Sequence, residues 1–203
     1  EAPEQGCIRI DGRDVTDQPP ARRPVTMMFQ DHNLFAHLSL YDNIALGCHP
    51  GLNLSPADHE TINQALEATQ LGDISRRRPA GVSGGERQRA ALARCLCQKR
   101  PLLLLDEPSA NLDPAATHLV EDIIREATAQ GTKVIMTTHD LHQARRLADE
   151  ILFLHRGRLK EQGPAAQFFE GPKNDLAQAF LRGELLWWRR RSIYAPDEAR
   201  KDG

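Results

Sequence analysis

Two acids, Asp106 and Glu107, end the apolar run Leu102-Leu103-Leu104-Leu105 and are followed by Pro108. The run is too short for a helix and is stopped by a proline, which fits a central parallel strand. Its acids then emerge at the carboxyl end, where open α/β sheets hold their ligands. Asp106 there fits a magnesium ligand, directly or through water, because Mg²⁺ takes few carboxylates and keeps its waters. Glu107, one residue on, points elsewhere and is placed to polarise an attacking water. The plainer alternative is a strand terminated by solvated acids.

A second constellation is Ser83-Gly84-Gly85-Glu86, which leads through Arg87-Gln88-Arg89 into the Ala-rich segment Ala90 to Cys97. Ser83, Gly84 and Gly85 at the start of a helix offer unpaired backbone N–H groups, a hydroxyl and a favourable dipole, which together suit a phosphate. Without that context Ser-Gly-Gly is a turn. Gln30 carries an amide able to bond both water and metal-bound oxygens, although a glutamine after a strand is also an ordinary loop residue. His139 can donate to a phosphoryl group and stabilise the charge that builds during transfer. His139 and His142 also stand three apart, a metal-ligand spacing, but no third ligand accompanies them. Asp113 precedes Pro114 as a helix N-cap would.

The elements that must position these residues can be read from periodicity. Cys7 to Ile10 is a short strand entering an Asp11-Gly12 turn, and Val25 to Phe29 is a second strand that ends at Gln30. From Asp42 to about Arg78 the chain is polar and helical, with Ser55-Pro56 as a helix start and Ile62, Ala65 and Leu66 as an apolar stripe. Pro114 to Ala129 is a helix with Leu119, Ile123, Ile124 and Ala127 on one face. Lys133 to Thr137 is a strand, and Leu141 to Ala148 a helix. Ile151 to Leu154 and Arg158 to Lys160 form a hairpin around Arg156-Gly157. Phe168 to Leu181 reads as two short helices broken at Gly171-Pro172. Alternating strands and helices predict a layered α/β sheet.

Length and composition bound the reading. The 203 residues suit one α/β domain, and 40% hydrophobic with 27% charged residues places the chain among globular proteins. No apolar run approaches the ~18 residues of a membrane span. A formal net charge of −2 gives no global basic field for nucleic acid. Cys7, Cys48, Cys95 and Cys97 have neither zinc-site spacing nor disulfide-scaffold density, so all four are expected reduced in a cytosolic compartment. Glu1-Ala2-Pro3-Glu4 is no signal peptide, and without an initiator Met the chain is expected to start partway through a longer protein.

Five ordered stretches carry a family resemblance. Ser83-Gly84-Gly85-Glu86, Leu102 to Glu107 and Thr138-His139 resemble the signature motif, Walker B strand and switch histidine of ATP-binding cassette (ABC) ATPases. Phe29-Gln30 resembles the Q-loop, and Ser109-Ala110-Asn111-Leu112-Asp113 the D-loop. The resemblance implies a P-loop NTPase-like, mostly parallel α/β sheet flanked by helices, with an inserted helical subdomain at about 42–97. It implies ATP and Mg²⁺ as cofactors, and a signature (Ser83, Gly84, Gly85, Glu86) that grips the γ-phosphate of ATP held by a second ABC ATPase subunit. It further implies Asp106 and Gln30 at the metal, Glu107, His139 and Gln30 in catalysis, and Asp113 at the dimer seam.

A complete ATPase of this family needs a Gly-rich phosphate loop ending in Gly-Lys-Ser or Gly-Lys-Thr. None of the 14 glycines here is followed by lysine. The first strands and the phosphate loop are therefore expected to be absent, and the chain alone to turn over little ATP. The partial ATPase domain is expected over 1–186 and a basic, polar tail over 187–203. That tail holds Trp187-Trp188-Arg189-Arg190-Arg191.

Between Gln30 and Ser83 no heptads are sustained, unlike DNA-repair members of the family. Arg22-Arg23-Pro24-Val25, Asn33-Leu34-Phe35 and Leu38 to Asn43 resemble bacterial importer ATPases, and Met27 to Leu52 most resembles the thiamine type. Pro164 to Leu186 is closer to tungstate or oxyanion importers. An importer implies a membrane permease that docks on Phe35 to Ile44 and, indirectly, a periplasmic substrate-binding protein. It implies a peripheral position on the cytoplasmic face of the inner membrane. The alternative is a non-catalytic cassette module lending its signature motif to an intact partner subunit.

Overall fold

A three-stranded parallel sheet carries the site. In the computed structural model, which describes residues 3–30 and 34–184, β3 (Val25–Met28), β4 (Leu102–Asp106) and β5 (Lys133–Thr137) lie in the order β3-β4-β5. The described residues fall into two compact units that divide between His139 and Asp140. The tail expected over 187–203 lies outside the described residues. Parallel neighbours need long crossovers. Here the first holds three helices, α1 (Leu40–Ala45), α2 (Pro56–Ala68) and α3 (Gly84–Cys97), and the second holds α4 (Pro114–Ala129).

The leucine run is the central strand, and its two faces differ. Leu103 and Leu105 are buried, whereas Leu102 and Leu104 are half-buried. On the less covered face Leu104 is flanked in register by Met27 and Ile135, exposed by 43% and 45%. The sequence alone reads four leucines as uniformly buried, because a period of two is invisible when every position is apolar.

The helices of the first crossover share a core of Leu40, Ile44, Ile62, Leu66, Leu71, Ala90 and Ala93. Each fully buried leucine or isoleucine side chain among them contributes about 1.5–3 kcal/mol. Serines start all three helices: Ser39 accepts from the Asp42 amide, while Ser55 with Asp58 and Ser83 with Glu86 form reciprocal capping boxes. Gly47 allows the chain leaving α1 to touch α3, since a Cβ there would meet the Arg94 carbonyl oxygen at 2.2 Å. Asn43, fully buried, accepts from the Phe35 amide at 2.7 Å and donates to the Phe35 and Ser39 carbonyls, which shapes the loop ahead of α1. On α4 the buried stripe is Val120, Ile123, Ile124 and Ala127, with Leu119 only half-buried. The expected face is thus rotated by one residue at its start.

Also in this unit, β1 (Arg9–Ile10) and β2 (Arg13–Asp14) form a hairpin. Asp11 and Gly12 both have positive φ, as a tight two-residue turn demands.

The second unit begins with α5 (Leu141–Leu147), capped by Asp140. An antiparallel hairpin follows, β6 (Glu150–His155) and β7 (Arg158–Pro164), turning at Arg156-Gly157. Helices α6 (Ala165–Glu170) and α7 (Asp175–Leu181) pack Phe168 and Ala177 against Phe153. Glu161 accepts from the Lys173 and Asn174 amides and so holds the loop that enters α7. The helix expected from Phe168 starts three residues earlier, directly where β7 ends. No helix among the described residues is long and apolar enough to cross a membrane.

Candidate functional site

The site is built at the carboxyl edge of β4, where register sets Asp106 opposite Thr137. Thr137 Oγ1 donates to Asp106 Oδ1 at 2.6 Å. The Glu107 amide is shared between the Thr137 carbonyl and hydroxyl oxygens, both at 3.2 Å. One threonine therefore orients the first acid and holds the backbone of the second.

Glu107 has φ of +46°, a left-handed conformation that costs a non-glycine residue about 1–2 kcal/mol. The turn is held from its other side as well, because Gln88 Nε2 of α3 donates to the Pro108 carbonyl. In this conformation Glu107 leaves the strand line, and its Oε2 lies 3.0 Å from His139 Nδ1. The His139 side chain is 76% exposed and that of Glu107 29%, so the pair faces solvent where a substrate can reach it.

The Ser83 turn sits at the start of α3. Ser83 Oγ accepts from the Glu86 amide at 3.3 Å, and Glu86 Oε2 accepts from the Ser83 amide at 2.6 Å. The bond from the Ser83 amide, then that from its hydroxyl, holds the Glu86 carboxyl below its ordinary value. Gly84 and Gly85 occupy the first helical turn, whose amides have no intrahelical acceptor. Arg87 fastens the approach to this turn by donating to the Val82 and Pro79 carbonyls. Gly85 has a packing duty too: a Cβ there would sit 3.2 Å from Ala116 Cβ in the first turn of α4.

Asp113 caps α4 by accepting from the Ala116 amide at 3.0 Å. Gln30 is exposed, two residues past the end of β3, and so emerges at the same sheet edge as the acids. Asp106 and Gln30 offer a carboxylate and an amide oxygen, the hard donors that Mg²⁺ prefers, and Mg²⁺ takes its remaining ligands from phosphate and water. His142 lies in the second unit, whereas His139 ends the first. Among the described residues no group of three or more His, Cys, Asp or Glu side chains is arranged to hold a metal ion.

The fold thus gathers Asp106, Glu107 and His139 into one cluster. The Ser83–Glu86 turn is tied to it indirectly, through Gln88 and through the Gly85 packing on α4. Sequence reading missed Thr137 and Gln88. Thr137 had a usable signal, since a threonine ends the strand two residues before His139; Gln88 had none, because its partner is twenty residues away.

The fold is that of an ATP-binding cassette. A solved dimeric, post-hydrolysis structure of the ATP-binding cassette MJ0796, bound to ADP and Pi, superposes with a TM-score of 0.72 over 81% of this chain and 75% of that one, at 24% identity. The ABC transporter family model matches residues 1–110, the part that holds Gln30, the Ser83 turn and both acids. The chain is 41% identical over 180 residues to the thiamine import ATP-binding protein ThiQ of Photobacterium profundum, covering 88% of this chain and 75% of that protein. It is 46% identical over 172 residues to ThiQ of Mesorhizobium japonicum, covering 84% and 68%. ThiQ of Brucella suis matches at 43% over 176 residues, 85% and 73%. The chain belongs to the ABC transporter family, as its ATP-binding ATPase component.

Proposed function

We propose that this chain is the ATPase subunit of a bacterial importer whose cargo is thiamine. The observation that carries the ATPase part is the Glu107–His139 pair, set beside Asp106 at the end of a central parallel strand. Glu107 acts as general base on the attacking water, and His139 meets the γ-phosphate. Asp106 and Gln30 hold Mg²⁺, which when bound neutralises charge developing on the phosphates. The Gly84 and Gly85 amides, with Ser83, engage the γ-phosphate of ATP held by a second cassette subunit, and Glu86 keeps that turn in shape. Asp113 orders the seam between the two. Identities of 41–46% to thiamine import ATP-binding proteins support the cargo over tungstate or another oxyanion.

A permease receives the motion, docking near Phe35, which is 50% exposed on a loop organised by Asn43. Bound to that permease, the chain is peripheral at the cytoplasmic face of the inner membrane, with a periplasmic substrate-binding protein as an indirect partner. Co-purification with a co-expressed thiamine permease tests the reading, and thiamine uptake is read in cells lacking their own ATPase subunit once a segment carrying the phosphate loop is joined to the chain. Capture of an oxyanion permease in preference to the thiamine permease would reassign the cargo.

A second reading rests on the capped Ser83 turn at the start of α3, which in this family acts on ATP held by another subunit. In it the chain is a non-catalytic module presenting its Ser83 turn to an intact partner. A stable, ATP-independent complex with an intact cassette subunit, without permease capture, would favour it.

A further inference from the structure

Cys48 and Cys97 meet at the end of α3 opposite the Ser83 turn. Cys48 lies just beyond α1 and is half-buried; Cys97 is the last residue of α3 and 5% exposed. Cys97 belongs to the apolar cluster of the helical region, and Cys48 packs against that cluster. The absent side chain of Gly47 permits the approach, since a Cβ there would lie 3.0 Å from Cys97 Cβ. The backbone entering Cys48 therefore runs directly over the last turn of α3. The two thiols lie close enough to perturb each other's ionisation, and the Cys48 thiol donates to the Asp58 carbonyl oxygen at 4.0 Å.

Two neighbouring thiols differ here in role. Burial pushes both up, Cys97 to about 12 with the nearby Cys48 adding to it, while the Cys97 side chain beside it partly offsets the rise at Cys48. Cys48 is also the more accessible, so it reacts first and Cys97 resolves. The other two cysteines are placed differently: Cys7 is exposed, and Cys95, 3% exposed, bonds to Thr26.

We propose that Cys48 and Cys97 are an oxidation site, a dithiol that a peroxide closes to an intramolecular disulfide joining the chain after α1 to the C-terminus of α3. The Cys48 thiolate attacks one peroxide oxygen; the O–O bond breaks, and the departing hydroxide takes a proton to leave as water. Cys48 is then a sulfenic acid. The Cys97 sulfur, giving up its proton, attacks the Cys48 sulfur; the S–O bond breaks and a second water leaves. Two thiols lose two electrons and two protons, and the peroxide is reduced to two waters. Protonated and largely buried, the pair reacts with peroxide more slowly than an exposed thiolate. The proposal does not depend on the ATPase reading.

The experiment treats the purified full chain, carrying Cys7→Ser to prevent intermolecular bridges, with hydrogen peroxide and maps its peptides without reduction. Cys95 and Cys97 share a tryptic peptide, so fragmentation assigns the bond. The expected product is a Cys48–Cys97 cross-link that lacks two hydrogens, disappears with dithiothreitol, and is absent after Cys48→Ser, Cys97→Ser or Cys97→Ala. Cross-linking through Cys95, or Cys48 advancing to sulfinic acid while Cys97 stays open to alkylation, would overturn the proposal. The map of the Cys7→Ser chain decides the matter even where a variant at Cys97 fails to fold.

Discussion

Gln88 Nε2 on α3 donates to the carbonyl oxygen of Pro108, directly behind the Asp106-Glu107 pair. The residue is 1% exposed, and its Oε1 is buried with no hydrogen-bond partner. The helix that begins at the Ser83 turn is thereby joined to the turn that presents Glu107, at the expense of one orphaned acceptor.

That orphan sets the ranking of two substitutions. Gln88→Met removes the donor to Pro108 together with the unpaired oxygen, so the two effects offset and the loss should stay near about 1 kcal/mol. Gln88→Glu places a carboxylate against a carbonyl oxygen at a position only 1% exposed and should cost several-fold more. Urea unfolding of both variants checks the order, and a less stable methionine variant would contradict it.

Glu107 holds a strained backbone for the sake of its side chain. Glu107→Gly should stabilise the chain by roughly 0.5–1 kcal/mol, since glycine takes φ of +46° without steric cost and the lost His139 contact is largely exposed. In a protein that also carries the phosphate loop, Glu107→Gln should slow hydrolysis by about 10²-fold while sparing ATP binding. Unchanged turnover would remove Glu107 from the role of base.

Gly47 is the tightest approach in the helical region. Gly47→Ala forces a methyl group to within 2.2 Å of the Arg94 carbonyl oxygen, a backbone atom that cannot swing aside. A loss of about 1–3 kcal/mol is expected from overpacking alone. Gly85→Ala meets only the Ala116 methyl at 3.2 Å and should cost less. Melting curves of the two variants compare them directly.

The capping boxes give an acid-side signature. Bonds from the serine amides and hydroxyls hold Glu86 and Asp58 below their ordinary values of 4.5 and 3.8. A carboxyl depressed in the folded state contributes stability that is fully present above its unfolded value and is lost as pH falls through the folded one. Helix stability should therefore decline as pH drops below about 4.5, with no counterpart on the alkaline side from these groups. Ser83→Ala should flatten part of that decline in circular-dichroism melts taken across the acid range.

Much of the architecture was legible because its signals are local. The serine-capped starts at Ser55 and Ser83, the Asp113 cap before Pro114, and the positive-φ turns at Asp11-Gly12 and Arg156-Gly157 depend on a few adjacent residues. The α4 stripe slipped at Leu119, since Leu119 and Val120 are both apolar and only the partner surface decides which turns inward. Glu86 was legible as part of a motif but not as the acceptor that closes the Ser83 cap.

From the residue order alone, the pair Asp106-Glu107 had to leave a strand at its carboxyl end, and Ser83-Gly84-Gly85 had to open a helix. Both follow from short-range sterics and hydrogen bonding. Tertiary structure alone decided that Thr137 orients Asp106, that Gln88 and Thr137 together hold Glu107 left-handed, and that His139 then faces its carboxylate. It also brought Cys48 onto Cys97. These pairings join residues distant in the chain, and they arise from sheet register and from glycine-permitted contact between elements, neither of which leaves a periodic trace in the sequence.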